Sequence, residues 1–176
     1  MEFSASSMYT AEYFISKLGL EPHPEGGSFK QIYKSDWQLE EKNLPGNYGS
    51  ERTLYSTIYF LLCAGQVSHF HRLKSDEVMF YHYGTSLELY MIDEKGELTV
   101  SSLGMDVEKG DRPQALVPAG TVFCGVPRER DRFSLVSTMV APAFEYDDFE
   151  LFKTSEVCEM FPHLRETLQG LLPGDD

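Results

Sequence analysis

Apolar and polar positions divide the chain into a short helical start, a long run of alternation and a helical tail. Ala11, Phe14, Ile15 and Leu18 fall at i, i+3, i+4 and i+7, one stripe of a helix. Thr10 can cap its first turn and Gly19 stands where such a helix stops, which predicts a helix over 10–19. Pro22-His23-Pro24-Glu25-Gly26-Gly27 then forces a turn. From Ser28 to about residue 141 the pattern is that of strands. Phe29, Gln31 and Tyr33 alternate with Lys30, Ile32 and Lys34, and Leu54–Leu62 is rich in β-branched and aromatic residues. Further strands are expected over Gln66–His71, Glu77–Tyr83, Leu87–Ile92, Leu98–Leu103, Gln114–Val117, Thr121–Cys124 and Phe133–Val140. Asp36–Glu51 reads as a surface loop, and residues 154–172 turn helical, with Thr154 or Ser155 as cap and Pro162 starting a second short helix. Short strands at this spacing make a β-sandwich or small barrel. The expectation is an all-β, single-domain chain over 1–176, its barrel spanning roughly 28–141.

Composition narrows the partners. The 176 residues include 28 acidic and 15 basic side chains, a formal net charge of −13. Nucleic acid and anionic membranes both attract clustered Lys and Arg, so neither is expected as a partner. No apolar run reaches the ~18 residues of a membrane span. Met1–Ser7 shows no basic segment leading into an apolar one, and Cys63, Cys124 and Cys158 are odd in number and scattered. A cytoplasmic protein with buried thiols is the expectation. The strands Leu54–Leu62 and Phe133–Val140 are apolar on both faces, which suggests a homodimer that covers the surplus.

The chemistry concentrates in Gly65–Gly84. Alternation along a strand puts His69 and His71 on one face, and Glu77 opens the next strand. Two imidazoles and a carboxylate are the donor set of many divalent-metal sites, so His69, His71 and Glu77 are candidate metal ligands. His71 and Glu77 are equally candidates for acid–base work. Parity from Glu77 adds Tyr81, and the Tyr55, Thr57, Tyr59 face of Leu54–Leu62 adds Tyr59, as ligand contacts. His82 falls on the opposite face, and Arg72 with Asp76 reads as a charge pair in the connecting loop.

His69-Phe70-His71, then Glu77, then six residues to Gly84, resembles the first signature of the cupin superfamily, with five residues between His71 and Glu77. Gly110 followed by Pro118-Ala119-Gly120 resembles the second, but Phe123 occupies the place of the third histidine ligand. That departure, the Pro22–Gly27 turn, Ser56–Leu62, Ser75-Asp76-Glu77, Pro113-Gln114 and Val140-Ala141-Pro142 together resemble the cupin-5 family. Gln31 and Val122 depart from it, standing where an acid and a tryptophan are common. The resemblance implies a jelly-roll barrel, a double-stranded β-barrel with short flanking helices, usually dimeric, with a pocket and no settled reaction. It also implies that His23 or Glu25 closes the mouth of the barrel and that Gln114 belongs to the pocket.

Three functions stay open at this point. The first is an isomerase- or epimerase-like enzyme on a small polar or sugar-like metabolite. The second is a metal-dependent oxygenase using His69, His71 and Glu77, its divalent metal weakly held because Phe123 cannot ligate. The third is a non-catalytic small-molecule binder, with no cofactor. A small-molecule-binding cupin of unsettled activity, isomerase-like if it is an enzyme, is favoured over the oxygenase.

Overall fold

The computed structural model describes residues 9–46 and 48–172. Helix α1 (Ala11–Leu18) begins at Thr10, whose side chain accepts a hydrogen bond from the Tyr13 N–H, and ends on Gly19 in the left-handed conformation. Thirteen strands follow within the described residues: β1 (Glu21–Pro22), β2 (Ser28–Lys34), β3 (Gln38–Leu39), β4 (Arg52–Thr53), β5 (Ser56–Leu62), β6 (Ser68–Leu73), β7 (Asp76–Gly84), β8 (Leu87–Ile92), β9 (Leu98–Leu103), β10 (Gln114–Val117), β11 (Val122–Pro127), β12 (Ser134–Ala141) and β13 (Phe149–Leu151). Helices α2 (Thr154–Met160) and α3 (Arg165–Gln169) close the chain. The cap of α2 is Lys153, whose N–H donates to Glu156, one residue before the expected Thr154. Pro22 pairs with Ser28 in β1–β2, so the proline-rich turn starts from a short strand.

Two antiparallel sheets form a jelly roll. One has the order β1-β2-β5-β12-β7-β10, the other β13-β6-β11-β8-β9, and β3–β4 is a separate hairpin-like pair. Between the sheets lies an apolar layer that includes Phe60, Met79, Leu87, Leu89, Phe123 and Val136. Outside the five-stranded sheet, Phe70, Ile92, Cys124 and Val126 pack against Val157, Cys158 and Leu168 of the C-terminal helices. On the outside of the six-stranded sheet, Leu61 and Leu135 pack against Ala11 and Phe14. The two strands that look apolar on both faces are therefore partly covered by α1 within the same chain. Among the described residues no helix is long and apolar enough to cross a membrane.

Three irregularities break the period of two; one is at Ile32 of β2, where Gln31 and Tyr33 oppose the adjacent Ile58 and Thr57. In β6, His69 and Phe70, between Ser68 and His71, oppose the single Cys124 between Gly125 and Phe123. In β7, His82 is extra between Tyr81 and Tyr83, which oppose the adjacent Val136 and Leu135. Each bulge reverses the facing of everything beyond it. Strand β6 sits in one sheet and β7 in the other, so Lys74 and Ser75 carry the chain across the sandwich.

Candidate active site

A cavity of about 170 Å³ opens at one end of the sandwich. The six-stranded sheet supplies Phe29 and Gln31 from β2, Ser56 and Ile58 from β5, Glu77 from β7, and Thr138 and Val140 from β12. His71 and Leu73 face them from β6. The turn between β1 and β2 supplies His23 and Glu25, the segment before β13 supplies Phe144 and Tyr146, and β13 itself supplies Phe149. A narrower extension between Phe60, Leu89 and Phe123 continues inward past Glu25, His71 and Glu77.

The turn reaches the cavity because glycine lets it lie flat on the sheet. Gly26 and Gly27 both have positive φ, and a Cβ on Gly27 would stand 2.6 Å from the Leu61 carbonyl oxygen. The Glu25 carbonyl accepts from the His69 N–H at 2.7 Å, and the Glu25 N–H donates to His23 Nδ1 at 3.3 Å. Glu25 is thereby held with its carboxyl inside: Oε1 accepts from the Ser68 hydroxyl at 3.2 Å, and Oε2 lies 3.1 Å from His71 Nε2.

The protonation of that pair follows from its neighbours. His71 Nδ1 is 2.8 Å from the His69 carbonyl, which can only accept, so Nδ1 carries a proton. The neutral ring then presents a lone pair at Nε2. Burial holds His71 below the ordinary histidine range, although the Glu77 charge and the His69 carbonyl pull the other way. Burial pushes Glu25 up to about 8, only partly offset by the Ser68 hydrogen bond. One proton is therefore shared between Glu25 Oε2 and His71 Nε2. Glu77 is raised to about 7, by burial first; His71 and a hydrogen bond to Thr138 lower it, and Glu25 raises it. His23 is lowered to about 4 by burial and then by His71, consistent with a bare Nδ1 accepting from the backbone. His71 stacks at a tilt on Phe123, ring centroids 4.0 Å apart, so the aromatic ring packs where a third imidazole was expected.

Of the candidate site residues, His23, Glu25, His71 and Glu77 meet at the cavity; His69, Tyr59, Tyr81 and Gln114 do not. His69 is off the cavity wall, beside Gly26, because the β6 bulge puts Ser68 and His71 inside and turns His69 away. The expected His69, His71, Glu77 metal set is not formed, and among the described residues no three His, Cys, Asp or Glu are grouped to hold a metal. Tyr59 sits on the outer face of β5 against His82, with ring centroids 6.0 Å apart; Ser56, Ile58 and Phe60 are the inward residues. Tyr81 does point inward, but further along β7, where its hydroxyl donates to the Gly84 carbonyl at 2.7 Å. Gln114 is exposed on the edge strand β10. Arg72 pairs with Glu150 at 2.8 Å, not with Asp76, whose carboxylate accepts from the Ala119 N–H.

Sequence reasoning missed Ser68, Thr138 and the aromatic lip. A signal for the inner face of β5 existed: Ser56, Ile58 and Phe60 alternate as small and apolar, the composition of a core face. The lip is positioned by Phe144 N–H donating to Ser56 Oγ at 3.1 Å, and by Arg52 binding Asp148 through Nε and a second guanidinium nitrogen at 2.6 and 2.9 Å.

The family model described as Cupin superfamily (DUF985) matches residues 12–152. Among solved structures, a protein from Shewanella oneidensis is 43% identical, with a TM-score of 0.82 over 96% of this chain and 100% of its own. A hypothetical protein from Leishmania major is 32% identical, also at TM-score 0.82, over 93% of this chain and 99% of its own. A mutant of oxalate decarboxylase from Bacillus subtilis, 14% identical, shares the fold at TM-score 0.51 over 88% of this chain and 38% of that one. No curated protein matches the chain.

Proposed function

We propose that this chain, which belongs to the Cupin superfamily (DUF985) family, is an enzyme that moves protons on a small carbonyl compound, in the manner of an isomerase or epimerase. One observation carries the reading: a buried Glu25–His71 pair at 3.1 Å faces a cavity that also holds the buried Glu77. Carbonyl tautomerisation needs an acid at the oxygen and a base at the neighbouring carbon, each close to its own pKa at working pH. Glu77, near 7, is the base: its carboxylate removes the proton next to the carbonyl. Glu25, raised to about 8 and sharing its proton with His71, is the acid: that proton goes to the carbonyl oxygen and gives the enol. Return of a proton to the same carbon from another direction, or to the neighbouring carbon, completes an epimerisation or isomerisation. The His69 carbonyl fixes the tautomer and angle of His71 throughout.

The test is deuterium uptake. Pools of small ketones, aldehydes and hydroxycarbonyls are incubated with the protein in D₂O and followed by proton NMR. Loss of an α-proton signal with the native chain, reduced at least tenfold in Glu77→Gln and Glu25→Gln, is the expected result. A compound that binds without exchange, or exchanges equally in both variants, would leave a binding module instead.

A further inference from the structure

We infer that the cavity selects an uncharged, ring-sized compound with a hydrogen-bond-accepting oxygen, such as a cyclic ketone or lactone, and rejects carboxylates and phosphates. The inference deepens the proton-transfer reading and rests on it for the carbonyl.

Size sets the first limit. The cavity measures about 170 Å³, and an apolar cavity of about 150 Å³ takes up benzene. One six-membered ring with a small polar group fills it. Its body would lie among Phe29, Ile58, Leu73, Val140, Phe144 and Phe149, a wall that is apolar on several sides and favours a flat ring over an open polyol.

Charge sets the second limit. Among the described residues no lysine or arginine lines the cavity. The basic groups around it are already engaged: Lys34 with Glu145 at 2.8 Å, Arg72 with Glu150 at 2.8 Å, and Arg52 and Lys74 with Asp148. An anion entering here would give up water, meet no cation, and face Glu77. An organic cation would bring only donors, and the inner end already has its own: the proton shared by Glu25 and His71, the Ser68 hydroxyl on Glu25 and the Thr138 hydrogen bond to Glu77. A protonated carboxyl is a donor. The ligand group it suits is a neutral oxygen acceptor, placed at the inner end where Glu25 and Glu77 converge.

Three probes with the same ring separate the possibilities: cyclohexanone, cyclohexanecarboxylate and cyclohexylammonium, titrated at pH 7.5 with saturation-transfer NMR and calorimetry. Cyclohexanone should bind at least tenfold more tightly than the carboxylate and more tightly than the ammonium. Ile58→Trp, which fills the cavity, should abolish ketone binding while retaining a cooperative thermal transition. Glu77→Gln, nearly isosteric, should narrow the gap between ketone and carboxylate. The inference is overturned if the carboxylate or the ammonium binds as well as the ketone, if the ketone fails to bind, or if Ile58→Trp folds and still binds it. Correct charge order without deuterium exchange in bound cyclohexanone would retain the ligand class and reject the catalytic reading, so the two fail separately.

Discussion

Two buried acids lie within a few residues of the cavity and have opposite environments. Asp148, 4% exposed, receives two guanidinium hydrogen bonds from Arg52 and the Lys74 ammonium at 3.3 Å. Burial alone would raise its pKa, but Arg52 and then Lys74 outweigh it and hold the carboxylate below its ordinary range. Glu25, 9% exposed, has a hydroxyl and an imidazole and no cation, and rises to about 8. Asp111 is of the first kind, bonded to Arg128 and Ser86. Glu77 is of the second. Where the fold needs a buried carboxylate for architecture it supplies a partner of opposite charge. Where it leaves a carboxyl to take up a proton instead, the group is available for chemistry.

Arg52→Ala should break the contrast most severely. It strands Asp148 without its main partner, a loss of about 3–5 kcal/mol for a buried pair, measured by urea denaturation at pH 7. Glu25→Gln, which replaces a protonated acid with a neutral amide, should change stability by less than ~1 kcal/mol at the same pH, within the range of mild substitutions, while eliminating deuterium exchange. Equal losses in the two variants would show that Glu25 is as structural as Asp148.

The pH dependence sharpens the same comparison. A carboxyl raised on folding stabilises fully below its unfolded pKa and loses that contribution as pH climbs through its folded value. The window runs from about 4.5 to about 8 for Glu25 and to about 7 for Glu77. Asp148 has the opposite sign: lowered on folding, it stabilises above 3.8 and loses the contribution as pH falls below. His23, lowered to about 4, loses its contribution as pH falls from 6.5 towards 4, and the lowered His71 loses its own on the same acid side. Melting temperature should therefore decline from pH 6.5 to 9 in the native chain, and the decline should be shallower in Glu25→Gln and Glu77→Gln. His23→Gln should flatten the acid limb between 6.5 and 4.

Much of this frame was legible beforehand, and the reasons are local. Thr10 and Gly19 bracket α1 because capping chemistry is read within a few residues. Strands β8, β9 and β10 coincide with their expected bounds because alternation and the turns between them are local too. The site is built from long-range facts. Glu25 meets Ser68 and His71 only because a glycine turn is folded onto another strand, and no spacing rule covers 43 residues. His69 and His71 differ in facing because one extra residue sits in β6, which depends on its pairing with β11. Tyr59 illustrates the remaining gap: parity identifies two faces of a strand, but only packing decides which is inside. The smallest expected effect follows from it. Tyr59→Phe and Gln114→Ala, both off the cavity, should leave ketone binding within twofold of native by calorimetry.

The central claim is that the cavity acids hold protons near neutral pH because no cation accompanies them. Carbon-13 NMR of the side-chain carboxyls, titrated from pH 3 to 9 in the folded protein, reads this directly. The account predicts midpoints for Glu77 near 7 and for Glu25 near 8, with Asp148 and Asp111 held below the ordinary aspartate range. Midpoints for Glu25 and Glu77 at the ordinary glutamate value of about 4.5 would contradict it.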